Sequence, residues 1–358
     1  MKLLYITNGI NGAGGLERVL SVKASYLVEH YNYDVTILSL NNNNTNPFYE
    51  FSRKIKFVSI EVKGNIFSYI MAYKKRLQQQ VSTLQPDIIC VCDDGLKAFF
   101  IPQFIKTKAS FIYERHASIL LNTDKTIKGV LTKNIMRFLG SYFDVFVVLT
   151  NNNFNEWKLT NTKVISNPLS FYPKNASNLK VKKVIVVGSH SYNKGYDLLL
   201  SIWEKVFEKF PSWQLTIFGK ADTNKTFIKI SKELKSSESI FFEEPVINIQ
   251  DKYLESSIMV LPSRSEGFGM VLIEAMACGV PCVSFDCPSG PADIISHLED
   301  GFLIENGNIE QMANTIIHLI DDETLRIKMG SAAKQNVQRF LPENIMHQWD
   351  DLFKSLLK

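Results

Sequence analysis

The sequence has few cysteines, no long apolar run and no paired metal-binding motif. Five cysteines occur among 358 residues, and none shows the CxxC spacing of zinc or redox sites. This odd, unpaired set argues against a disulfide framework and fits a reducing cytoplasm. No apolar run approaches the ~20 residues that span a bilayer, and the N-terminus passes from a short strand into glycines without a signal-peptide core. The sequence therefore predicts a cytoplasmic protein, either soluble or peripheral on the inner face of the plasma membrane.

Length and charge limit the organisation further. A chain of 358 residues exceeds the about 250 to 300 at which single cores stop growing, so we expect two domains. The net charge of +4 is uneven, because residues 1–170 carry 20 Lys+Arg against 12 Asp+Glu and residues 171–358 carry 20 against 24. A basic first half attracts anions such as nucleic acid, anionic lipid or a phosphorylated acceptor. Charge alone does not choose among them.

Short β-rich runs alternate with amphipathic stretches along the whole chain, which predicts an α/β fold of parallel sheets covered by helices. A polar, proline-containing stretch after residue 168 predicts the boundary between domains 1–168 and 169–342. The spacing of apolar residues in 343–358 predicts an amphipathic helix, which we expect to cross back to the first domain. Among the other predictions are a helix at about 223–236 and surface loops at Asn41–Asn44 and Asn151–Asn153.

The densest motif, Ser263–Pro281, reads SRSEGFGMVLIEAMACGVP and follows a predicted strand. Gly267 and Gly269 allow backbone N–H groups to approach a ligand, and the helix start that follows adds a positive dipole. Glu274 lies among apolar residues, where a carboxylate is costly to bury without hydrogen-bond donors. Ribose hydroxyls are suitable donors. The alternative is that Glu266 caps a helix and Glu274 faces solvent.

Glu266 and Glu274 are separated by seven residues, as in the E-x7-E motif of retaining GT-B glycosyltransferases, and the segment EGFGMVLIEAMACGVPCVSFDCPSGPADII resembles glycosyltransferase family 4. The resemblance covers essentially the whole chain. It implies two doubly wound Rossmann-like domains facing a central cleft, with the acceptor bound by the first and the nucleotide sugar by the second. It also implies that Glu274 holds the ribose and Glu266 contacts the transferred sugar. The backbone positions assigned to the sugar and diphosphate are Gly267, Phe268, Gly269, Met270 and Val271.

A second motif, VGSHSYNKGYD, begins at residue 187 and places Lys194 at a predicted helix start. A lysine there would stabilise the charge that grows on a departing diphosphate. The motif resembles the family's G-R-x(n)-K-G loop, in which arginine and lysine both bind the diphosphate. Ser189 stands at the arginine position, with His190 and Arg264 as candidate substitutes. The alternative is that Lys194 is a solvated surface lysine.

The first predicted strand leads into the glycine loop NGINGAGGLER, which begins at residue 8. A glycine loop alone also fits an ordinary turn, but its G-G-x-E-R ending is similar to the family's donor loop and assigns Gly14 and Gly15 to the donor. His116 follows the predicted strand at residues 110–113. It either contacts the donor sugar or acceptor, or has no role. Asp93 and Asp94 are further candidates for acceptor contacts.

Residues 125–139 combine cations with apolar residues at helical spacing. The apolar positions are Ile127, Val130, Leu131, Ile135, Phe138 and Leu139, and the cations are Lys125, Lys128, Lys133 and Arg137. Such a helix can lie on an anionic membrane, and an ordinary amphipathic core helix has the same pattern. The resemblance favours the membrane, because many relatives extend lipid-linked glycans.

Together these patterns predict a retaining hexosyltransferase that uses a nucleotide sugar, expected to be a UDP-sugar, with Glu266, Lys194 and His116 as catalytic residues. The acceptor is a glycan, expected to be linked to a lipid diphosphate, in capsule or O-antigen assembly. The sequence contains no DxD motif, so we expect neither a metal nor another cofactor, and we expect no nucleic-acid partner. Two alternatives stay open: a non-catalytic nucleotide-sugar-binding subunit, suggested by Ser189, and a sugar-nucleotide epimerase.

Overall fold

The structure is a computed structural model that describes residues 1–42, 46–119, 123 and 126–357. Asn43, Asn44 and Lys125, which belong to predicted features, lie outside the described residues. The chain divides into two compact units, unit 1 with Met1–Pro168 and Pro342–Lys358, and unit 2 with Leu169–Leu341. The boundaries expected from the sequence lie within one residue of this division.

Unit 1 is built on a seven-stranded sheet in which every pairing between neighbouring strands is parallel. Its strands are β1 (Lys2–Thr7), β2 (Asp34–Leu40), β3 (Lys56–Ile60), β4 (Ile88–Cys92), β5 (Ser110–Glu114), β6 (Val145–Val148) and β7 (Thr162–Val164). The spatial order is β3-β2-β1-β4-β5-β6-β7. Successive strands are therefore added toward one edge of the sheet up to β3 and toward the other edge from β4 onward. The boundary between β1 and β4 is the switch point where doubly wound sheets bind ligands.

The helices of unit 1 connect these strands. They are α1 (Gly15–Tyr31), α2 (Ile66–Leu84), α3 (Ile101–Phe104), α4 (Ile127–Gly140) and α5 (Asn151–Trp157), with a 3₁₀ helix at Leu96–Phe100 before α3. Side chains cap several of them, as where the Thr126 hydroxyl accepts a 3.1 Å hydrogen bond from the Gly129 N–H. Aromatic residues fill the core beneath α3 and α5, where Tyr113 and Phe146 stack with ring centroids 4.8 Å apart.

Unit 2 repeats the architecture with six strands, again paired in parallel. The strands are β8 (Lys183–Val187), β9 (Gln214–Phe218), β10 (Ile240–Glu243), β11 (Ile258–Leu261), β12 (Cys282–Asp286) and β13 (Gly301–Glu305). The helices are α6 (Tyr196–Lys209), α7 (Thr226–Ser231), α8 (Ile249–Leu254), α9 (Met270–Ala277), α10 (Pro291–Ile294), α11 (Ile309–Asp321) and α12 (Glu323–Asn336). The order β10-β9-β8-β11-β12-β13 puts the switch point between β8 and β11.

The last helix, α13 (Pro342–Ser355), belongs to unit 1. Its apolar residues Ile345, Trp349 and Phe353 are buried. The Tyr33 hydroxyl donates a 2.5 Å hydrogen bond to the Asp350 carboxylate, and the rings of Tyr33 and Phe353 meet edge to face at 6.3 Å. The helix thus completes the face of unit 1 that α1 covers.

Two local predictions were wrong. Asn151–Asn153 is not a surface loop but the first turn of α5, because the Thr150 hydroxyl accepts a 3.1 Å bond from the Asn153 N–H and starts a helix. The helix expected at about 223–236 is shorter, Thr226–Ser231. It begins only at Thr226, whose N–H and hydroxyl both donate to the Asp222 carboxylate. The predicted α/β fold class, with two parallel doubly wound sheets, is confirmed.

Candidate active site

The loop after β8 places Lys194 at the switch point of unit 2. Gly188 opens this loop, and its carbonyl accepts a 2.6 Å hydrogen bond from the buried Tyr196 hydroxyl. Gly195 caps α6 at φ +69°, a left-handed conformation that favours glycine. A Cβ at Gly195 would also collide with the Pro262 carbonyl oxygen. Glycine is therefore required here for the loop to pack against the segment that follows β11.

The loop after β11 presents Glu266 to Lys194. The two loops are joined by backbone contact, since the Arg264 N–H donates to the Asn193 carbonyl at 2.8 Å, and the Asn193 amide donates to the Ser265 carbonyl at 3.0 Å. The Lys194 ammonium bonds both Glu266 carboxylate oxygens, at 2.7 and 2.9 Å. The side chains are 25% and 9% exposed, so the pair is partly open to solvent. Lys194 is therefore not a freely solvated surface lysine.

The start of α9 has a fixed backbone shape. Gly269 precedes the helix at φ +99°, and a Cβ on the neighbouring Gly290 would collide with the Phe268 carbonyl. The Phe268 ring is buried and meets Phe340 edge to face at 5.6 Å. Gly267 and Gly269 thus lie in a tightly packed turn that leads into Met270 and Val271 at the positive end of the helix.

Glu274 is buried in the second turn of α9, with 3% of its surface exposed, which excludes the solvent-facing alternative. The Tyr253 hydroxyl of α8 and the Ser170 hydroxyl each donate to its carboxylate at 3.3 Å. These two donors compensate part of the cost of burying the charge. Sequence reasoning missed both, because neither lies in a recognisable motif, although Tyr253 occupies a core-facing helical position.

The residues considered as substitutes for the missing arginine have other partners. Arg264 bonds both carboxylate oxygens of Asp197, at 2.8 and 2.6 Å, and covers the Tyr192 ring at 3.7 Å. His190 is buried between the rings of Tyr196 and Phe242, and burial lowers the pKa of its imidazole. Ser189 is exposed. Neither Arg264 nor His190 is therefore held as a free cation beside Lys194.

In unit 1, the glycine loop after β1 leads directly into α1. Gly14 is the N-cap of this helix and Gly15 its first residue. The carboxylate of Glu17 folds back so closely over Gly12 and Gly14 that a Cβ at either position would overlap one of its oxygens. A carboxylate near the N-terminus of a helix stabilises the helix, because its negative charge interacts with the positive end of the helix dipole. It also occupies the surface that the sequence assigns to the donor.

The switch point of unit 1 is crossed by a polar network. The Asn8 amide donates to Asp93 at 2.7 Å, and Lys97 lies 3.4 Å from the same carboxylate and also bonds Asn8. Asp94 lies 3.3 Å from the Arg115 guanidinium and accepts the His116 backbone N–H at 3.1 Å. Both acids, which the sequence offers as acceptor contacts, are thus used to order the loops after β1, β4 and β5.

His116 lies beside a buried charge pair. Its Nε2 is 3.6 Å from the Glu114 carboxylate, which bonds the Lys23 ammonium of α1. Burial alone would raise the pKa of Glu114, but Lys23 and His116 lower it to about 2. Lys23 is itself covered by the Trp349 ring at 3.8 Å. Neither Lys23 nor Glu114 was singled out in the sequence, since each lies inside an ordinary helix or strand pattern.

Two groups among the described residues bring three possible metal ligands within 4.8 Å of one another, namely Cys92, Glu114 and His116, and His347, Asp350 and Asp351. In the first group burial raises the pKa of the Cys92 thiol, so the thiolate that a metal needs is disfavoured, and Lys23 already neutralises the carboxylate. In the second group Asp350 bonds Lys354 at 2.7 Å. We assign a metal to neither group, and metal independence stays a prediction.

Comparison with solved structures identifies the fold. The structure of S. aureus TarM in complex with fondaparinux, alpha-GlcNAc-glycerol and UDP superposes with a TM-score of 0.83 at 16% identity, covering 98% of this chain and 99% of that one. The fold is therefore that of the GT-B glycosyltransferases.

Sequence comparison gives the family. The family described as "Glycosyl transferases group 1" matches residues 171–336. An uncharacterized glycosyltransferase of Haemophilus influenzae is 30% identical over 97% of this chain and 98% of its own length. The amylovoran biosynthesis glycosyltransferase AmsD of Erwinia amylovora is 29% identical over 98% and 99%. The chain belongs to the group 1 glycosyltransferases. Membership confirms the predicted enzyme class and removes the support for an epimerase.

Within the described residues, no helix is both long and apolar enough to cross a bilayer. All five cysteines are free and buried.

Proposed function

We propose that the protein transfers a hexose or N-acetylhexosamine from a UDP-sugar to a lipid-linked glycan acceptor, with retention of the anomeric configuration, in the assembly of a cell-surface polysaccharide. The observation that carries the proposal is the partly open Lys194–Glu266 pair at the switch point of unit 2, with Glu274 buried on the helix that follows. A cation, a carboxylate and a helix N-terminus together match the charges of a nucleotide diphosphate sugar.

Unit 2 binds the nucleotide sugar in this proposal. Lys194 stabilises the diphosphate, because its ammonium keeps a third N–H beyond the two that bond Glu266. Glu274 accepts hydrogen bonds from the ribose hydroxyls, with Tyr253 and Ser170 holding its carboxylate in place. The backbone from Gly267 to Val271 faces the sugar and diphosphate. Ser189 supplies no charge, so Lys194 and the helix dipole stabilise the leaving group without a second cation.

The reaction proceeds on one face of the donor sugar. The bond from the anomeric carbon to the diphosphate oxygen breaks, and its electron pair leaves with the diphosphate. The acceptor hydroxyl oxygen bonds to the anomeric carbon, and its proton passes to the departing phosphate oxygen. Glu266 is paired with Lys194, and an ion-paired carboxylate is a weak nucleophile. Glu266 therefore stabilises positive charge on the sugar without forming a covalent intermediate.

Similar proteins support the substrate class. The TarM structure was obtained with UDP and alpha-GlcNAc-glycerol, and the name of AmsD assigns it to amylovoran biosynthesis. Another relative, 25% identical over 86% of each chain, is the lipopolysaccharide 1,6-galactosyltransferase of Escherichia coli. We extend to this chain the sugar transfer that the names of AmsD and of the Escherichia coli relative state. Unit 1 then binds the acceptor, with His116 contacting either the acceptor or the donor sugar, and Gly14 and Gly15 stay predicted donor contacts.

An anionic membrane is the proposed location of the acceptor. In α4, Ile127 is 91% exposed, and Leu131 and Phe138 are also exposed. Helix α2 exposes Ile66 and Phe67 at its start. A core helix would bury such residues, so the exposure favours the membrane alternative.

Helices α2 and α4 both contact the segment formed by α3 and the 3₁₀ helix before it. Helix α4 packs on the 3₁₀ helix that precedes α3, and Lys74 of α2 lies 5.9 Å from the Phe104 ring of α3. Cations accompany the apolar residues on both helices: Lys74, Lys75, Arg76 and Lys128 are exposed, and Lys133 is half-buried. The Arg137 guanidinium instead donates to the Glu156 carbonyl. Each cation near an anionic surface contributes about 1 kcal/mol. We call the exposed apolar and basic residues of α2 and α4 the membrane face.

The donor and the activity are tested together. Melting temperatures measured with UDP-, GDP- and ADP-sugars identify the nucleotide, and release of UDP is then followed with and without a lipid-linked glycan. We expect the UDP-sugar to stabilise the protein and the acceptor to accelerate release. NMR of the product reports the anomeric configuration, and inversion would overturn the mechanism. Binding without turnover would instead support the non-catalytic subunit.

The membrane face is tested by cosedimentation with vesicles of phosphatidylglycerol and phosphatidylcholine. The Ile127→Asp and Phe67→Asp variants should bind more weakly than wild type, and high salt should weaken all binding. Ile247→Asp is the matched control, since Ile247 is a similarly exposed isoleucine of unit 2. Equal binding by all variants would contradict the assignment.

A further inference from the structure

The buried pair of Lys23 and Glu114 lies behind the candidate residue His116. Both side chains are 2% exposed, although an ammonium and a carboxylate are costly to remove from water. The pair bridges α1 and the end of β5. Trp349 of α13 covers the ammonium with its ring face, a favourable place for a cation. Three separate elements of unit 1 therefore enclose one charge pair.

Glu114 and His116 project to the same side of the chain, because residues two apart in an extended segment share a face. Arg115 between them points away, and its guanidinium donates to the carbonyls of Ala117, Asp94 and Ser118 at 2.8 to 2.9 Å. This anchoring fixes the backbone on which both neighbours stand. The Asp94 carboxylate adds a 3.1 Å bond from the His116 N–H.

With the backbone of His116 fixed, the property left to determine is which ring nitrogen carries the proton. Within the described part of the chain, neither His116 Nε2 nor Glu114 Oε1 has a hydrogen-bond partner, although both atoms are buried. Nε2 lies 3.6 Å from the other carboxylate oxygen, slightly beyond hydrogen-bond distance. A carboxylate next to one ring nitrogen favours the tautomer that carries its proton there. The other nitrogen, Nδ1, is then a hydrogen-bond acceptor.

We propose that Lys23 and Glu114 are positioning residues that hold His116 as the Nε2–H tautomer and leave Nδ1 free to accept a hydrogen bond from a sugar hydroxyl. Lys23 keeps Glu114 ionised, and Glu114 attracts the Nε2–H. The sugar contact rests on the proposed function, whereas the tautomer is a property of the unliganded protein. The two parts can therefore fail separately.

The first experiment is NMR on protein labelled with ¹⁵N-histidine. Long-range ¹H–¹⁵N spectra distinguish the two neutral tautomers, and the His116→Ala variant assigns the signal among the six histidines. We expect Nε2–H in the wild type and a mixture in Glu114→Gln. An Nδ1–H ring in the wild type, or the same spectrum in both proteins, would overturn the proposal whatever reaction the enzyme catalyses.

The second experiment measures sugar transfer. Glu114→Gln and His116→Ala should each lower kcat by roughly tenfold to a hundredfold, as loss of an orienting partner does, and the double variant should fall no further than His116→Ala. Independent, multiplying losses would contradict a pathway through His116. If His116→Ala transfers sugar normally while the tautomer is as expected, the sugar contact fails and the positioning stands.

Folding is controlled with variants that change the charge in pairs. Lys23→Met alone leaves a buried carboxylate uncompensated, whereas Lys23→Met with Glu114→Gln removes both charges. A folded double variant whose kcat matches that of Glu114→Gln supports positioning, and wild-type kcat in it would overturn the proposal. Lys56→Met is the matched control, because it breaks an exposed lysine–aspartate pair of the same unit and should change neither kcat nor the spectrum.

Discussion

The two units have the same kind of sheet but place their charges differently near the switch point. In unit 2 the Lys194–Glu266 pair is partly exposed, with Lys194 25% open to solvent. In unit 1 the Lys23–Glu114 pair is 2% exposed. An accessible pair can exchange one partner for a ligand at little cost, whereas a buried pair holds its geometry and resists titration. The comparison suggests that one pair binds substrate and the other supports a residue that does.

The largest effect should follow removal of the accessible cation. Lys194→Ala is expected to lower kcat about a hundredfold to a thousandfold, the usual cost of losing a donor to developing charge, with a smaller change in KM for the donor. Steady-state transfer assays measure both constants. Lys205→Ala is the control, since Lys205 of α6 forms an exposed ion pair with Glu310. Unchanged kcat in Lys194→Ala would contradict the assignment of the leaving-group site.

The buried pair should appear in acid stability. The pKa of Glu114 is about 2 in the folded protein against 4.5 ordinarily, so its contribution is fully present above pH 4.5 and is lost as the pH falls toward 2. The contribution is about 3 kcal/mol. Denaturant unfolding of unit 1 between these pH values should show a steeper decline in wild type than in the Lys23→Met, Glu114→Gln double variant. If the stability of the two proteins fell equally with pH, the buried pair would not contribute to stability as expected.

The smallest of the three effects is expected at Glu274. Glu274→Ala should weaken nucleotide binding by about tenfold, since a charge-assisted hydrogen bond contributes roughly 1.5 to 3 kcal/mol and the ribose is only one part of the donor. Calorimetric titration with UDP measures the Kd. Tyr253→Phe removes one donor to the carboxylate and should have a smaller effect in the same direction. Wild-type affinity in both variants would exclude Glu274 from the nucleotide site.

Much of the fold could be predicted from the sequence, because buried parallel strands are apolar runs and the helices between them show regular spacing. The proximity of the predicted lysine and glutamate of unit 2 follows from the order of the strands. Each follows a strand that borders the switch point, so topology alone places Lys194 near Glu266.

What could not be predicted depends on contacts between distant segments. Tyr253 and Ser170 reach Glu274 from other elements of unit 2, and no local pattern marks them. Lys23 has the spacing of an ordinary helical residue, and only the packing of α1 and α13 shows that it is buried. The starts of α5 and α7 were missed because a single hydroxyl or carboxylate cap decides them.

Unit 1 is discontinuous along the chain, and this affects its biogenesis. Trp349 and its neighbours on α13 leave the ribosome only after all of unit 2 has been synthesised, so Lys23 lacks the cover of the Trp349 ring until then. Unit 2 is continuous and can finish folding first, although it is translated second. A recombinant fragment ending at residue 168 would expose to solvent the surface of α1 that α13 covers. Adding a peptide of residues 342–357 in trans is the rational way to restore that cover.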